Sequence, residues 1–199
     1  MKYDLNKKQT IATKRTLSSL SSIMFKLLES KSFETITVQE LCNLSLIPRA
    51  TFYNYFEDKY DLLNYCWFTL KLQTCPTFSD NTDYQHYLEI FISKWIDFLD
   101  SNKENIYLIL KHNDLSHYLI NSFRTYLTDS ILSEIKSFPC LSTSSIPYEI
   151  TAKHCANSVL TILEWKYINK NNCSKEELIY YLEVLINKNG LITHNNISN

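Results

Sequence analysis

The residues best suited to recognise another molecule lie close together in the N-terminal third of the chain. The segment from Pro48 to Phe56 combines an arginine, hydroxyl groups and two tyrosines, and it contains no acidic residue. Hydrogen-bond donors without neighbouring carboxylates can approach phosphate oxygens and the edges of bases without electrostatic repulsion. The segment therefore predicts a surface that binds nucleic acid.

A second group of reactive residue types suggests catalysis or metal binding instead. The group consists of His112, Asp114, Ser116 and His117. These types serve acid–base and nucleophilic catalysis, but no motif organises them here. The two histidines lack the i, i+4 spacing of a helical zinc site, and the six cysteines form no C-x-x-C pair. We therefore predict no enzymatic activity, no catalytic residue, no metal site and no cofactor.

The single glycine of the chain, Gly190, limits the possible folds. Glycine supplies the positive φ angles of hairpin turns and of phosphate-binding loops. Its absence before position 190 excludes a glycine-rich nucleotide loop and disfavours an all-β fold. Apolar residues form 45% of the chain, which is enough for a packed core. We therefore predict an all-α protein.

The net charge of −1 hides a difference between the two parts of the chain. Residues 1–59 contain nine Lys or Arg and six Asp or Glu, a net charge of +3, whereas residues 60–199 contain eleven and fifteen, a net charge of −4. A basic N-terminal part suits a module that faces phosphates. Scattered cysteines, no apolar signal region and no apolar run of membrane length predict a cytoplasmic protein with reduced thiols.

Apolar periodicity and capping signals predict helices along most of the chain. Thr37 can cap a helix while Glu40 reaches back to the backbone N–H of Thr37, and Ser174 begins a second capping box of this kind. Pro48 suits the first position of a helix, and Gly190 suits the end of the last one. The predicted helices span residues 10–30, 38–44, 48–55, 58–74, 83–101, 103–111, 115–137, 147–170 and 175–189.

Three segments of the N-terminal part resemble the TetR family of bacterial transcriptional regulators. Two short helices joined by a tight turn and packed on a longer first helix form a helix-turn-helix. Segment 37–42 supplies a threonine-capped second helix, 49–56 a threonine–aromatic–tyrosine recognition helix ending in Phe, and 58–63 a lysine followed by a leucine pair. The resemblance covers residues 14–65.

The resemblance implies two domains and a set of DNA contacts. Residues 1–60 would form a three-helix helix-turn-helix DNA-binding domain, and residues 61–199 a helical ligand-binding and dimerisation domain. Tyrosines and Lys59 would contact phosphates, while Arg49 and its neighbours would read bases. Core packing of the tyrosines and a solvated surface charge at Arg49 are the alternatives. The predicted DNA-binding residues are Thr37, Gln39, Pro48, Arg49, Ala50, Thr51, Tyr53, Asn54, Tyr55 and Lys59.

The turn of the helix-turn-helix departs from the family pattern at Leu46. Family members commonly place glycine there. A non-glycine residue with positive φ costs on the order of 1 kcal/mol. We expect either this strain or a different turn conformation supported by Pro48.

The C-terminal part supplies candidate residues for a ligand and for self-association. Aromatic side chains and one histidine predict a ligand site of apolar or aromatic character, with plain core packing as the alternative; they are Trp67, Tyr87, Trp95, Phe98, Tyr107, His117, Tyr118 and Trp165. Apolar stripes on the last two helices predict an isologous dimer contact. They consist of Ala156, Val159, Leu160, Leu163, Leu178, Tyr181, Leu182 and Leu185.

The resemblance and these residues together predict a repressor. It would bind a palindromic operator in double-stranded DNA as a homodimer, contact no membrane, and be released or modulated by a small apolar or aromatic ligand. A ligand-independent regulator, an activator, a helical protein-binding adaptor and an enzyme are the alternatives.

Overall fold

The computed structural model of the chain describes residues 10–74, 84–113, 117–137 and 146–186, with only the backbone described for 84–89 and 137. Every regular element within these ranges is a helix, which confirms the all-α prediction. The longer helices are α1 (Ile11–Leu28), α4 (Lys59–Thr74), α5 (Tyr84–Ser101), α7 (Tyr118–Ser137) and α8 (Tyr148–Leu163). The shorter ones are α2 (Val38–Ser45), α3 (Arg49–Tyr55), α6 (Lys103–His112) and α9 (Lys175–Ile186).

Several predicted segments lie outside the described residues. They are Asp114, Ser116 and the helix end at Gly190. Within the described residues, no helix is long and apolar enough to cross a membrane. The same residues bring together no group of three or more His, Cys, Asp or Glu side chains that could hold a metal ion.

The chain divides into two compact units. The first unit comprises Met1–Gln73 and Glu104–Ser122, and the second comprises Thr74–Lys103 and Phe123–Asn199. The first unit therefore extends beyond the boundary predicted at residue 60. The functional division at that residue stays a prediction.

The core of the first unit lies where the helix-turn-helix packs on α1 and α4. Leu20, Leu41, Phe52 and Phe56 are fully buried, whereas Ile47 is only half-buried. Burial of these side chains on one face leaves the polar residues of α2 and α3 on the other.

A buried asparagine joins α6 to the N-terminal helices of this unit. The Asn113 carboxamide is fully buried and accepts a hydrogen bond from the backbone N–H of Phe33 at 2.8 Å. Its Nδ2 donates to the carbonyl oxygens of Leu28 at 3.4 Å and Ile109 at 2.9 Å. Every polar group of this side chain is thus directed at backbone, which is how a buried amide avoids an unpaired donor or acceptor.

The two predicted capping boxes differ in the structure. At α9 the box is complete, because the Glu177 N–H donates to Ser174 Oγ at 3.2 Å and the Ser174 N–H donates to Glu177 Oε2 at 2.8 Å. At α2 only half of it forms, with the Glu40 N–H donating to Thr37 Oγ1 at 3.2 Å. The prediction that the Thr37 N–H donates to the Glu40 carboxylate is wrong, because that carboxylate pairs with Lys31 Nζ at 2.6 Å.

Leu46 adopts the conformation that glycine favours. Its φ is 56° and its ψ is 34°, in the left-handed region. Its N–H donates to the Asn43 carbonyl at 3.3 Å, and the Ile47 N–H donates to the Cys42 carbonyl at 3.0 Å. These two bonds form a Schellman motif, in which the left-handed residue ends the helix. The turn therefore has the left-handed conformation, and the expected alternative conformation is not adopted.

The second unit has its own apolar core. α9 packs on α8 and on α5, and the core residues are Ile92, Ile96, Ile135, Ala152, Cys155, Leu178, Leu182 and Ile186. The helix predicted over 147–170 changes to a π-helical turn at Glu164–Ile168. There Asp100 accepts hydrogen bonds from Tyr167 Oη at 2.7 Å and Lys166 Nζ at 2.9 Å. These bonds tie α5 to the end of α8.

Candidate nucleic-acid interface

Helix α3 presents most of its polar side chains to solvent. Phe52 is fully buried, which fixes the rotation of this short helix. Thr51 and Tyr55 are half-buried at the edge of the exposed face, and the exposed residues are Pro48, Arg49, Ala50, Tyr53 and Asn54. The predicted base-reading side of the helix is thus accessible.

Arg49 connects α3 to α2 through exposed hydrogen bonds. Its guanidinium donates to Gln39 Oε1 and to Tyr53 Oη, both at 3.3 Å, and lies 5.8 Å from the centre of the Tyr53 ring. The hydrogen bond with Tyr53 raises the pKa of Arg49, so the side chain is cationic at any physiological pH. The bonds are long and exposed, so exchange for acceptors on DNA would cost little.

Asn43 extends this arrangement, although the sequence analysis did not select it. Its Oδ1 accepts a hydrogen bond from Gln39 Nε2 at 2.7 Å. The two amides are one helical turn apart, a spacing at which such side chains pair on an exposed face. That spacing is the signal that would have found Asn43. We call the set of Gln39, Asn43, Arg49 and Tyr53 the Arg49 network.

The charges around this network favour an anionic partner. Glu40 is the acidic residue of α2, and its carboxylate pairs with Lys31. The acid of α2 is therefore neutralised instead of facing a phosphate. Thr37 is exposed at the start of the same helix, where its hydroxyl accepts the cap hydrogen bond and keeps its own hydrogen as a donor.

Lys59, which the resemblance assigns to a phosphate contact, is hydrogen-bonded to the backbone of its own chain. Its Nζ donates to the carbonyl oxygens of Phe33 at 2.9 Å, Glu34 at 2.8 Å and Ile36 at 2.8 Å. It also lies 4.8 Å from the centre of the Phe33 ring, and burial lowers its pKa. An ammonium has three N–H donors, and all three are used. In this arrangement Lys59 holds the loop before α2, and the predicted phosphate contact would require one of these bonds to break.

The predicted ligand residues fall in both compact units. Those in the first unit are Trp67, Tyr107, His117 and Tyr118, and those with described side chains in the second are Trp95, Phe98 and Trp165. Tyr87 lies on α5, but its side chain is outside the described residues. Tyr118 stacks on Phe33 with ring centres 5.5 Å apart. Trp95 and Phe98 are neighbours, with ring centres 6.3 Å apart.

The predicted dimer residues mostly serve the core of a single chain. Those already buried are Ala156, Leu160, Leu163, Leu178 and Leu182, and those half-buried are Val159, Tyr181 and Leu185. A side chain buried by its own chain has little surface left for a partner. Exposed apolar side chains on these helices are instead Ile150 on α8 and Tyr180 on α9, each 58% exposed.

Known proteins share both the sequence pattern and the architecture. The dhaKLM operon transcriptional activator DhaS of Lactococcus lactis is 29% identical over 153 residues, which are 69% of this chain and 76% of the relative. A TetR transcriptional regulator from Streptococcus agalactiae superposes with a TM-score of 0.59 and 22% identity, over 86% of this chain and 94% of that chain. The chain has a TetR-like fold.

This TetR-like fold recurs in a solved activator. The structure of the dihydroxyacetone kinase operon activator DhaS superposes with a TM-score of 0.50 and 20% identity, over 87% of this chain and 95% of that chain. No protein-family model matches the chain. The resemblance to the TetR family, predicted from segments 37–42, 49–56 and 58–63, is confirmed at the level of the fold.

Proposed function

We propose that this chain is a transcriptional regulator that binds double-stranded DNA through α2 and α3. The observation that carries the proposal is the exposed Arg49 network. It offers donors and acceptors from two helices, and its cationic group is held only by long, exposed hydrogen bonds. Arginine binds the two acceptors of guanine in the major groove, and amide side chains bind adenine. Arg49 and Asn54 are our candidates for base contacts, with Thr37 and Tyr53 at phosphates.

A homodimer on a palindromic operator follows from the same proposal. A helix-turn-helix dimer reads two half-sites about one helical turn of DNA apart. The apolar side chains of Ile150 and Tyr180 on α8 and α9 support self-association through these helices. The buried residues beneath them would support the surface instead of forming it.

The direction of regulation has two candidates. The sequence analysis predicts a repressor that is released by a small apolar or aromatic ligand. The Lactococcus lactis relative is named as an activator, which favours activation as the second candidate. Either action rests on the same DNA surface and requires no catalytic residue. Transcription of a reporter downstream of a selected site, with and without the protein, distinguishes the two.

The DNA surface is tested by selecting duplexes from a random pool and measuring their affinities. Arg49→Ala is expected to relax base preference at one position of each half-site. Loss of a bidentate base contact costs about 1–3 kcal/mol, or about 5- to 150-fold in affinity. Lys111→Ala removes the same charge from the exposed surface of α6 and is the matched control.

The controls decide between specific and non-specific binding. Lys111→Ala should leave both affinity and preference unchanged. An Arg49→Ala variant that keeps the preference of the wild type would contradict the assignment of α3. If the wild type binds no duplex even at low salt, a helical protein-binding adaptor becomes the better interpretation.

A further inference from the structure

Two buried tryptophans of the chain differ in one hydrogen bond. Trp67 is 7% exposed, and its Nε1–H donates to Ser122 Oγ at 3.0 Å. Trp95 is 8% exposed, and its Nε1–H has no hydrogen-bond partner among the residues that the structure describes. Buried polar groups in native proteins nearly always have a partner, so an exception requires an explanation.

The described surroundings of the Trp95 ring are aromatic and supply no side-chain acceptor for its N–H. Its ring centre lies 6.2 Å from that of Phe91, 6.3 Å from that of Phe98 and 6.3 Å from that of Phe123. All four residues belong to the second unit. Phenylalanine rings offer apolar surface and π faces but no oxygen or nitrogen acceptor.

On helix α5, the aromatic residues and the two core isoleucines occupy different sides. At 100° per residue, Phe91, Trp95 and Phe98 form a stripe about 110° from Ile92 and Ile96. The two isoleucines belong to the apolar core with α8 and α9, whereas Trp95 does not. Phe91 packs against that core, so the aromatic cluster borders it, while Trp95 lies on a different side of α5 from the two isoleucines.

We propose that Trp95 marks the effector site of this regulator and donates its Nε1–H to an acceptor oxygen of the ligand. The inference rests on the proposed function, because it specifies the chemistry of the effector. The ligand is a small, uncharged aromatic or apolar molecule that carries a carbonyl oxygen. The phenylalanine rings around Trp95 contact its apolar part, and they would not solvate a charge.

The test measures the donor directly in the full-length protein. The indole N–H signals of ¹⁵N-labelled protein are assigned with Trp67→Phe, Trp95→Phe and Trp165→Phe. Acetophenone and methyl benzoate supply a carbonyl oxygen, and α-methylstyrene has a similar shape without one. We expect the carbonyl compounds to shift the Trp95 signal downfield and to leave the Trp67 signal in place.

The affinities give a second readout. The wild type should bind the carbonyl compounds about 10-fold more tightly than α-methylstyrene, which corresponds to about 1.4 kcal/mol for one hydrogen bond. This preference should vanish in Trp95→Phe and survive in Trp67→Phe. The inference is overturned if neither carbonyl compound shifts the Trp95 signal, if the preference survives in Trp95→Phe, or if a long-lived water keeps the indole N–H bonded.

Duplex binding separates this inference from the proposed function. A wild type that binds its selected duplex but shows no carbonyl preference would refute the Trp95 site alone. A carbonyl preference through Trp95 in a protein that binds no duplex would leave the ligand site in place and refute the regulator.

Discussion

Replacing Leu46 by glycine is expected to stabilise the first unit. A left-handed backbone costs a residue with a Cβ about 1–2 kcal/mol, whereas glycine adopts it freely. The Leu46 side chain is 89% exposed, so its removal sacrifices almost no buried surface. The greater freedom of glycine in the unfolded chain offsets about 0.5–1 kcal/mol. The net gain in the free energy of unfolding is therefore about 0.5–1 kcal/mol.

Urea denaturation with a single fluorescent reporter measures this gain. Trp67 lies in the first unit, so the Trp95→Phe and Trp165→Phe background reports its unfolding. With a urea slope of about 1–3 kcal/mol per molar, the midpoint should rise by about 0.2–1 M.

Leu46→Ala is the matched control, because alanine keeps the Cβ and therefore the strain. Its midpoint should stay at or below that of the parent. Equal stabilisation by alanine and glycine, or a lower midpoint for glycine, would refute the argument from backbone strain.

Three further predictions concern hydrogen bonds described above. Asn113→Leu should lower the free energy of unfolding by at least about 2 kcal/mol in the same urea assay, because it leaves buried backbone groups unpaired; a smaller loss would contradict this. Lys59→Met should destabilise the first unit, and after correction for unfolding its duplex affinity should match the wild type; a residual loss would restore the phosphate contact. Burial opposes ionisation of Asp100, but hydrogen bonds from Lys166 and Tyr167 outweigh it and lower the pKa. This stabilisation is present above about pH 4 and is lost as pH falls through the folded-state pKa; Asp100→Asn should remove that part of the acid dependence of unfolding, and an unchanged profile would exclude it.

The helices and most caps were predictable because their signals are local. Thr37 and Ser174 cap the helices that their positions indicated, and Pro48 precedes α3 directly. The return bond of Glu40 was not predictable, because Lys31 competes for the same carboxylate through tertiary proximity. Local spacing shows which hydrogen bonds can form, but not which of two competing donors binds the carboxylate.

The exposure of the candidate residues on α3 was predictable, but their hydrogen-bond partners were not. Arg49 is exposed as expected, since burial of Phe52 leaves its side of α3 in solvent. The position of Lys59 depends on three carbonyls in a loop more than twenty residues away, which no charge pattern reveals. No sequence signal predicts that Trp67 and Trp95 differ in hydrogen bonding. Trp67 Nε1 donates to Ser122 Oγ, whereas Trp95 Nε1 has no acceptor among the described residues.

The position of Asn113 sets an order for folding during synthesis. Its hydrogen bonds to Phe33 and Leu28 span 80 and 85 residues of sequence. When α4 has left the ribosome, the helix-turn-helix is complete but Asn113 has not yet emerged. The buried backbone groups of Phe33 and Leu28 then lack this hydrogen-bond partner. Contacts across such separations close late, because a long loop must be ordered first. The smallest autonomous DNA-binding fragment would thus be discontinuous along the chain, and truncation after α4 would yield a loosened helix-turn-helix.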